Sequence, residues 1–352
     1  MKKIGIYFVA ALVIIASCKK SDVVKTTPKV TTGVYSLNQG NYGSNNTTIT
    51  YYDFGTNFAT TDYYKNVNGF GLGDTGSDFI IYGGKMYVVM NVSGNVAVAN
   101  ALTAKFIDTI SFTSGGINKG PENIAAYGNY VFVSSTDGTV SVIDTTSLAI
   151  VKSIPVGENP AQMAVSGLNL YVSNTGAFST SYDSTVSVIN LVSLSETGKI
   201  TVGINPGSIA ADASGNIYVA CTGDYNTIGA SLVKVNTNTN AIEKSADTAV
   251  GIVRFYNNNL YVTGGYLGVA AVRVLSTTDF SAVKTNFVSD GTSIINPYGL
   301  DIDNATGDVY VGDAKDYVSS GTVFCFDKNG AKKFSFGTTP SASPIKVVLV
   351  QH

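Results

Sequence analysis

The sequence of 352 residues predicts an all-β protein built from one repeated antiparallel unit. Three observations support this prediction. A turn with Gly or Asn, followed by an apolar residue, an aromatic, a valine and a small residue, recurs seven times. The intervening runs are short, alternate apolar with polar residues and are rich in Val, Ile and Tyr, as strands are. No segment carries a convincing helical period. A repeat of roughly 45 residues with several strands per unit is typical of a β-propeller of four-stranded antiparallel blades.

Each copy of the repeat is centred on one aromatic residue. The central residues are Tyr35, Tyr87, Phe132, Tyr171, Tyr218, Tyr261 and Tyr310. Most copies continue into a second strand that ends in an acid or an amide, such as the strand ending at Asp144. The number of copies predicts seven blades. Trp is absent, so the pattern is not that of WD40 repeats.

The two ends of the chain predict how the ring closes. The copy at Tyr35 has no inner strand before it, whereas residues 344–350 (PIKVVLV) form a strand without a blade of their own. We therefore expect the C-terminal strand to pair with the N-terminal blade, giving a single propeller domain over residues 33–352.

Residues 1–17 are predicted to be a lipoprotein signal peptide. Two lysines precede an apolar run that is too short for a comfortable membrane span. The run ends in Ile15-Ala16-Ser17-Cys18, which makes Cys18 the predicted lipidation site. Residues 18–32 read as a flexible tether. No aspartate directly follows Cys18, so the expected location of the lipid-anchored protein is the outer membrane. An ordinary secretory signal with a chance cysteine is the alternative.

Composition disfavours several classes of function. The sole histidine is His352, the last residue, so catalytic triads, Cys–His dyads and histidine metal clusters have no internal imidazole. The net charge is −2 and the lysines are sparse, which argues against nucleic-acid binding.

Cys221 and Cys325 are predicted to be separate buried thiols. The run 301–308 (DIDNATGD) loosely resembles a calcium loop but is better explained as a hairpin, so we predict neither metal nor cofactor.

The order of strands sorts the loops onto two faces of the ring. With strands a to d numbered from the centre outward, the a–b and c–d turns share one face, and the b–c loops and d–a crossovers share the other. We call the second the b–c face. Its long loops (38–47, 173–185, 221–231, 263–268 and 312–321) carry tyrosine, asparagine, aspartate and glycine. Tyrosine supplies broad contact area with a polar tip, and Asn and Asp supply hydrogen bonds. This face is therefore the predicted binding surface, although long loops are also often simply polar.

The candidate ligand-binding residues all follow from this assignment. They are Asn41, Tyr42, Asn91, Asn123, Asn174, Phe178, Tyr182, Asp183, Asp224, Tyr225, Tyr266, Tyr298, Asp313, Lys315, Asp316 and Tyr317. Carboxylates among them could in principle form an acid/base pair of the glycosidase type. Surface acids are more often solvated, and we predict that the protein is not an enzyme.

Residues 313–317 (DAKDY) concentrate three charges and an aromatic in a chain that is only 13% charged. We expect Lys315 to be neutralised by Asp313 or Asp316. This pair would brace the loop and hold Tyr317, beside Tyr298, toward a ligand. The alternative is a brace with no further role, which contributes little at an exposed site.

Three stretches carry a resemblance to a known family. They are residues 33–53 (GVYSLNQGNYGSNNTTITYYD), 73–91 (GDTGSDFIIYGGKMYVVMN) and 295–330, which opens INPYGLDIDNATGDVYVGDAKDY. Through them the chain resembles the YncE-like seven-bladed propeller lipoproteins, including those with a DUF5074-type domain. Within this group it is similar to the BtuG-like surface lipoproteins. The resemblance implies capture of cobalamin or a related corrinoid and its transfer to a TonB-dependent transporter. A glycan, a protein partner, or a propeller lyase or hydrolase activity are the competing interpretations.

Overall fold

Four-stranded antiparallel sheets account for nearly all the regular structure of the protein. The structure is a computed structural model and describes residues 30–177, 181–264 and 270–351. These residues form seven such sheets arranged as blades, which confirms the predicted seven-bladed β-propeller. The predicted signal peptide, Cys18 and most of the predicted tether lie outside the described residues.

The first half of the chain builds blades 1 to 4. Blade 1 contains β1 (Thr31–Gly40), β2 (Thr48–Asp53) and β3 (Phe58–Thr60), and a short helix, α1 (Tyr63–Asn68), follows it. Blade 2 contains β4 (Gly76–Tyr82), β5 (Lys85–Met90), β6 (Asn95–Asn100) and β7 (Phe106–Ser111). A small hairpin of β8 (Thr113–Ser114) and β9 (Ile117–Asn118) leads to blade 3, which contains β10 (Pro121–Tyr127), β11 (Tyr130–Ser135), β12 (Thr139–Asp144) and β13 (Ile150–Pro155). Blade 4 contains β14 (Pro160–Ser166), β15 (Asn169–Asn174), β16 (Thr185–Asn190) and β17 (Ser195–Thr201).

The second half builds blades 5 to 7 and returns to blade 1. Blade 5 contains β18 (Pro206–Ala211), β19 (Asn216–Cys221), β20 (Ser231–Asn236) and β21 (Ala241–Ala246). Blade 6 contains β22 (Val253–Tyr256), β23 (Asn259–Val262), β24 (Arg273–Ser276) and β25 (Ala282–Lys284). Blade 7 contains β26 (Pro297–Ile302), β27 (Val309–Asp313), β28 (Thr322–Phe326) and β29 (Lys332–Gly337), and the chain ends with β30 (Ala342–Gln351).

Ring closure follows the prediction. The strand order of blade 1 is β3-β2-β1-β30, so the last strand of the chain is the inner strand of the first blade. Pairing of β30 with β1 runs from Thr31↔Gln351 to Gly40↔Ala342. Because Thr31 pairs with Gln351, the first strand begins two residues before the predicted start at Gly33. Helix α1 was not predicted, since six residues are too few to show a helical period.

The repeated aromatic residue explains how the blades pack. All seven central residues are buried, with Tyr35, Tyr87, Phe132 and Tyr171 fully so. Each joins an apolar cluster, and several of these clusters span two neighbouring blades; Tyr171, for example, packs with Ile217 and Val219 of blade 5. Burying one large apolar side chain stabilises a fold by about 2 kcal/mol. The aromatic residue therefore recurs in the sequence because each blade needs it to pack against the next.

Two other predictions can be followed in the structure. Cys221 and Cys325 are free and buried, as expected, and burial raises the pKa of their thiols to about 11 and about 12. In the calcium-like run, Asp301 pairs with Arg254 and Lys346. Asp303 accepts a hydrogen bond from the Ala305 N–H at 2.9 Å, so its turn is a hairpin. Within the described part of the chain, no helix is long and apolar enough to cross a membrane.

Candidate functional site

A groove opens on the b–c face between blades 1 and 4. Its volume is about 840 Å³, and it is lined by loops and crossovers of four successive blades. Tyr42 contributes from the b–c loop of blade 1 and is 84% exposed, and Asn91 follows the second strand of blade 2. Residues 136–138 and 156–159 form the wall on blades 3 and 4. The structure thus brings the predicted Tyr42 and Asn91 into one concave site.

Glu122 lies in this groove and is absent from the predicted site residues. It occupies a β-bulge in β10, where the register shifts between Pro121 and Asn123, and such a bulge redirects a side chain out of the regular alternation. Its Oε1 accepts a hydrogen bond from Asn91 Nδ2 at 2.8 Å. Burial, together with the charge of Asp78, raises the pKa of Glu122 to about 7. A carboxyl group with a raised pKa in a cleft is a functional-site candidate. The sequence feature that could have identified Glu122 is its position directly after Pro121, on a d–a crossover of the b–c face.

Two tyrosine pairs stand on the rim of the same face. The rings of Tyr182 and Tyr225 meet edge to face between blades 4 and 5, with centroids 6.2 Å apart. The rings of Tyr298 and Tyr317 meet at 89° with centroids 5.4 Å apart. The Tyr298 hydroxyl donates a hydrogen bond to Gln39 Oε1 at 3.0 Å, which ties this pair to blade 1. The expectation that Tyr317 lies beside Tyr298 is confirmed, although neither residue lines the groove.

Tyr225 and Tyr317 adopt an unusual backbone conformation. Their φ angles are 59° and 64°, in the left-handed region that glycine and asparagine prefer. A bulky residue there costs of the order of 1 kcal/mol. Both side chains remain substantially exposed, at 52% and 45%, so burial does not explain the choice of tyrosine. Strain at exposed aromatic residues is consistent with a role in contacting another molecule.

The expected brace within residues 313–317 is wrong in its chemistry. Lys315 makes no ion pair with any described residue, and its Nζ donates instead to the Ser320 carbonyl at 2.8 Å. Asp313 is only 1% exposed and accepts hydrogen bonds from the N–H groups of Ile295, Asn296 and Lys315. Backbone N–H groups thus satisfy the Asp313 carboxylate, which the sequence pattern predicted to pair with Lys315.

Asp316 is also held by its own loop. It accepts hydrogen bonds from the N–H groups of Val318 and Ser319 at 3.0 and 2.7 Å. These bonds, with one from the Ser319 hydroxyl, lower its pKa to about 2. The charges at 313–317 therefore shape the loop that presents Tyr317, while Asp313 itself offers no surface to a ligand.

Other predicted polar residues are likewise engaged in loop structure. Asn174 is fully buried, donates to the hydroxyls of Thr185 and Ser187 and accepts from the Gly157 N–H, so it too offers no surface to a ligand. Asp183 accepts from the Glu158 N–H at 3.3 Å and joins its loop to the neighbouring crossover. In Asp224, hydrogen bonds from Ile228 and Asn226 lower the pKa of the carboxyl. Asn41 is exposed beside Tyr42. Phe178 and Tyr266 lie outside the described residues.

The central channel is a second cavity, of about 360 Å³, and Asn123 lies in its wall rather than in the groove. The inner strands of blades 1 to 6 line it. Lys346 Nζ lies 3.7 Å from Asp78 Oδ1 and 3.3 Å from Asp301 Oδ1. Arg254 Nε lies 3.5 Å from the same Asp301 oxygen. These four charges link strands of blades 1, 2, 6 and 7 across the channel.

Comparison with known proteins places the chain by fold. No family model matches the sequence, and no curated protein matches it. A quinonprotein alcohol dehydrogenase-like protein from Bacteroides thetaiotaomicron is similar in structure, with a TM-score of 0.67 and 14% identity over 91% of this chain and 79% of that one. Hydrazine synthase from Kuenenia stuttgartiensis gives a TM-score of 0.60 and 16% identity, covering 72% of this chain and 77% of that chain. The computationally designed Ika8 protein gives 0.58 and 14%, covering 87% and 88%.

These similarities define the class of protein and nothing finer. At such low identities a likeness in structure shows the fold alone, and one fold hosts many functions. The chain is a seven-bladed β-propeller with a groove and aromatic rim on one face, an arrangement consistent with binding a ligand or a partner.

Proposed function

We propose that the protein is a lipid-anchored, ligand-binding propeller of the outer membrane that captures cobalamin or a related corrinoid for a TonB-dependent transporter. The observation that carries the binding role is the groove between blades 1 and 4, with Tyr42, Asn91 and Glu122 in its walls. Its volume of about 840 Å³ falls within the 300–1,000 Å³ typical of ligand sites. The lipid anchor and the transporter rest on the pattern around Cys18 and on the family resemblance.

The chemistry of the groove suits a large ligand fringed with amides. The face of Tyr42 offers flat contact area, and the asparagine side chains together with exposed backbone groups pair with amides. A corrinoid brings its own cobalt ligands, so the propeller needs no histidine to hold it. The raised pKa of Glu122 leaves it partly protonated near neutral pH, when it can donate a hydrogen bond as well as accept one.

Calorimetry of residues 18–352 with cyanocobalamin tests the proposal. We expect one-to-one binding at micromolar concentration or tighter, equivalent to about −8 kcal/mol or better. Tyr42→Ala and Asn91→Ala should each weaken binding about tenfold, because each removes a contact worth about 1.4 kcal/mol. Asn238→Ala, on a c–d turn of the opposite face, is the matched control and should bind as the wild type does. Absence of heat at about 100 μM would eliminate cobalamin as the ligand.

The exposed Tyr182–Tyr225 pair favours one alternative ligand. Solvent-facing tyrosine rings with polar tips also suit a sugar surface, and Ile228, in the same loop as Tyr225, is 50% exposed. A glycan array with the same protein distinguishes the two ligands. Glycan binding that Tyr225→Ala abolishes, in a protein that ignores cyanocobalamin, would replace the corrinoid with a glycan.

A further inference from the structure

We propose that the mouth of the central channel is a second binding site, which takes a neutral carboxamide group. The groove proposed above is formed by loops, whereas this site is formed by inner strands. It deepens the proposed ligand-binding function and rests on it only for the natural ligand that would bring the carboxamide. The site consists of Asn123, Gln162 and Arg254, with Ser208, Asp78 and Lys346 supporting them.

The fixed charges of the channel already balance one another. Lys346 lies between Asp78 and Asp301, and Arg254 reaches the same oxygen of Asp301. The two carboxylates also accept backbone N–H groups: Asp78 from Phe79 and Ile124, and Asp301 from Val347 at 2.7 Å. Two cations thus face two anions whose acceptor capacity is largely used. An incoming anion would add an uncompensated charge in a partly desolvated site, which is unfavourable.

Ser208 orients the side chain of Gln162. The Ser208 hydroxyl accepts the Val253 N–H at 3.1 Å and donates to Gln162 Oε1 at 2.9 Å. In this arrangement the carbonyl oxygen is the engaged end of the Gln162 amide. Its Nε2 therefore remains available as a donor, with no partner in the described ranges.

Two more groups in the channel wall have unused hydrogen-bonding capacity. Arg254 donates through Nη1 to the Val253 carbonyl at 3.0 Å, and its Nη2 has no partner among the residues that the structure covers. The Asn123 side-chain amide likewise has none there. The channel mouth thus holds two free donors and one amide that offers both a donor and an acceptor. A carboxamide supplies the matching carbonyl oxygen and N–H group without adding charge.

The same strand lines both cavities. Glu122 faces the groove and its neighbour Asn123 faces the channel, on either side of the bulge in β10. A ligand in the groove with an amide arm therefore has a site for that arm one residue away along the strand. The cavity of about 360 Å³ is large enough for a small side arm and too small for a macrocycle.

Succinamide and succinate form the test pair, because they have the same shape and differ in charge. Saturation-transfer NMR on residues 18–352 should show magnetisation transfer to succinamide and not to succinate. Gln162→Leu removes the donor without adding charge, and should lower the succinamide signal at least about fivefold, as expected for one lost hydrogen bond of about 1 kcal/mol. Asn238→Ala, far from the channel, should leave the signal unchanged. In the wild type, the side-chain amide resonance of Gln162 should shift on titration with succinamide, which tests the site even if Gln162→Leu does not fold.

Each outcome of these experiments either supports or overturns the proposed channel site. Transfer to succinate as strong as that to succinamide, or transfer to neither, overturns the proposal. So does a folded Gln162→Leu variant with an unchanged signal, or a Gln162 resonance that does not move. Succinamide binding in a protein that ignores cyanocobalamin would leave the channel site standing while the corrinoid proposal fails.

Discussion

Removal of residues 344–352 should prevent the propeller from closing. The deletion abolishes every pair between β30 and β1 except those at Ala342 and Ser343. It also removes the buried Val347 and Val350, worth about 2 kcal/mol each. Each lost interstrand hydrogen bond contributes about 1 kcal/mol more. The total is on the order of 10 kcal/mol, which equals the whole stability of a typical domain.

The deletion has a second consequence, for solubility. Without β30, strand β1 becomes an unpaired edge at the channel wall, and unpaired edges promote aggregation. Asp78 and Asp301 also lose Lys346, their shared cation. We therefore expect size-exclusion chromatography to show aggregated or expanded protein, and circular dichroism to show no cooperative urea transition.

A point substitution provides the graded form of this test. Val350→Ala removes two methyl groups from a side chain that is 1% exposed, and should lower the free energy of unfolding by about 2 kcal/mol. Lys328→Ala, on the exposed c–d turn of blade 7, should leave it unchanged. A truncated protein that stays monomeric and keeps the wild-type urea midpoint would refute the reasoning on closure.

Three further predictions concern the site and the anchor. Tyr317→Asn relieves the left-handed backbone strain at this position but loses the ring contact with Tyr298. The melting temperature should therefore stay nearly constant, while the affinity for cyanocobalamin falls about tenfold. A fall in stability with unchanged affinity would contradict this. Because the folded-state pKa of Glu122 is raised from 4.5 to about 7, the folded state keeps the proton longer, and the free energy of unfolding should fall by about 3 kcal/mol as pH rises through that window. Glu122→Gln should remove this pH dependence of the free energy of unfolding, as measured by urea titration. Identical pH profiles for the wild type and the variant would rule out a raised pKa at Glu122. Cys18→Ala should release the protein from the membrane fraction or leave it unprocessed, and globomycin-sensitive lipidation that persists in this variant would show that another residue carries the lipid.

The blades could be predicted from the sequence because their determinants are local. Alternation with a period of two, turn residues and the recurring aromatic all lie within a few residues of one another, and each copy repeats the same packing problem. Ring closure could be predicted because the blade at Tyr35 lacks an inner strand and residues 344–350 form a strand without a blade. Pairing the two completes the first blade. The sorting of loops onto two faces followed from antiparallel order alone.

The binding face could be predicted in kind but not in detail. Tyrosines do gather on the b–c face, and the Tyr298–Tyr317 contact is as expected. The Lys315 pairing was wrong because backbone N–H groups, whose directions the sequence does not show, satisfy Asp313 and Asp316. Asn174 was wrongly assigned to the surface, because the sequence does not show that its side-chain amide donates to the hydroxyls of Thr185 and Ser187 in the next strand.

What the sequence by itself determined is the repeat, and with it the number of blades, their order and the face on which the long loops lie. Only the tertiary structure decided which loops meet. Tyr298 reaches Gln39 from the other end of the chain, and the pKa of Glu122 depends on Asp78 of the neighbouring blade. Such contacts join residues far apart in sequence, and their geometry depends on bulges and ring curvature that no local pattern records. The groove and the channel are therefore properties of the closed ring rather than of any single blade.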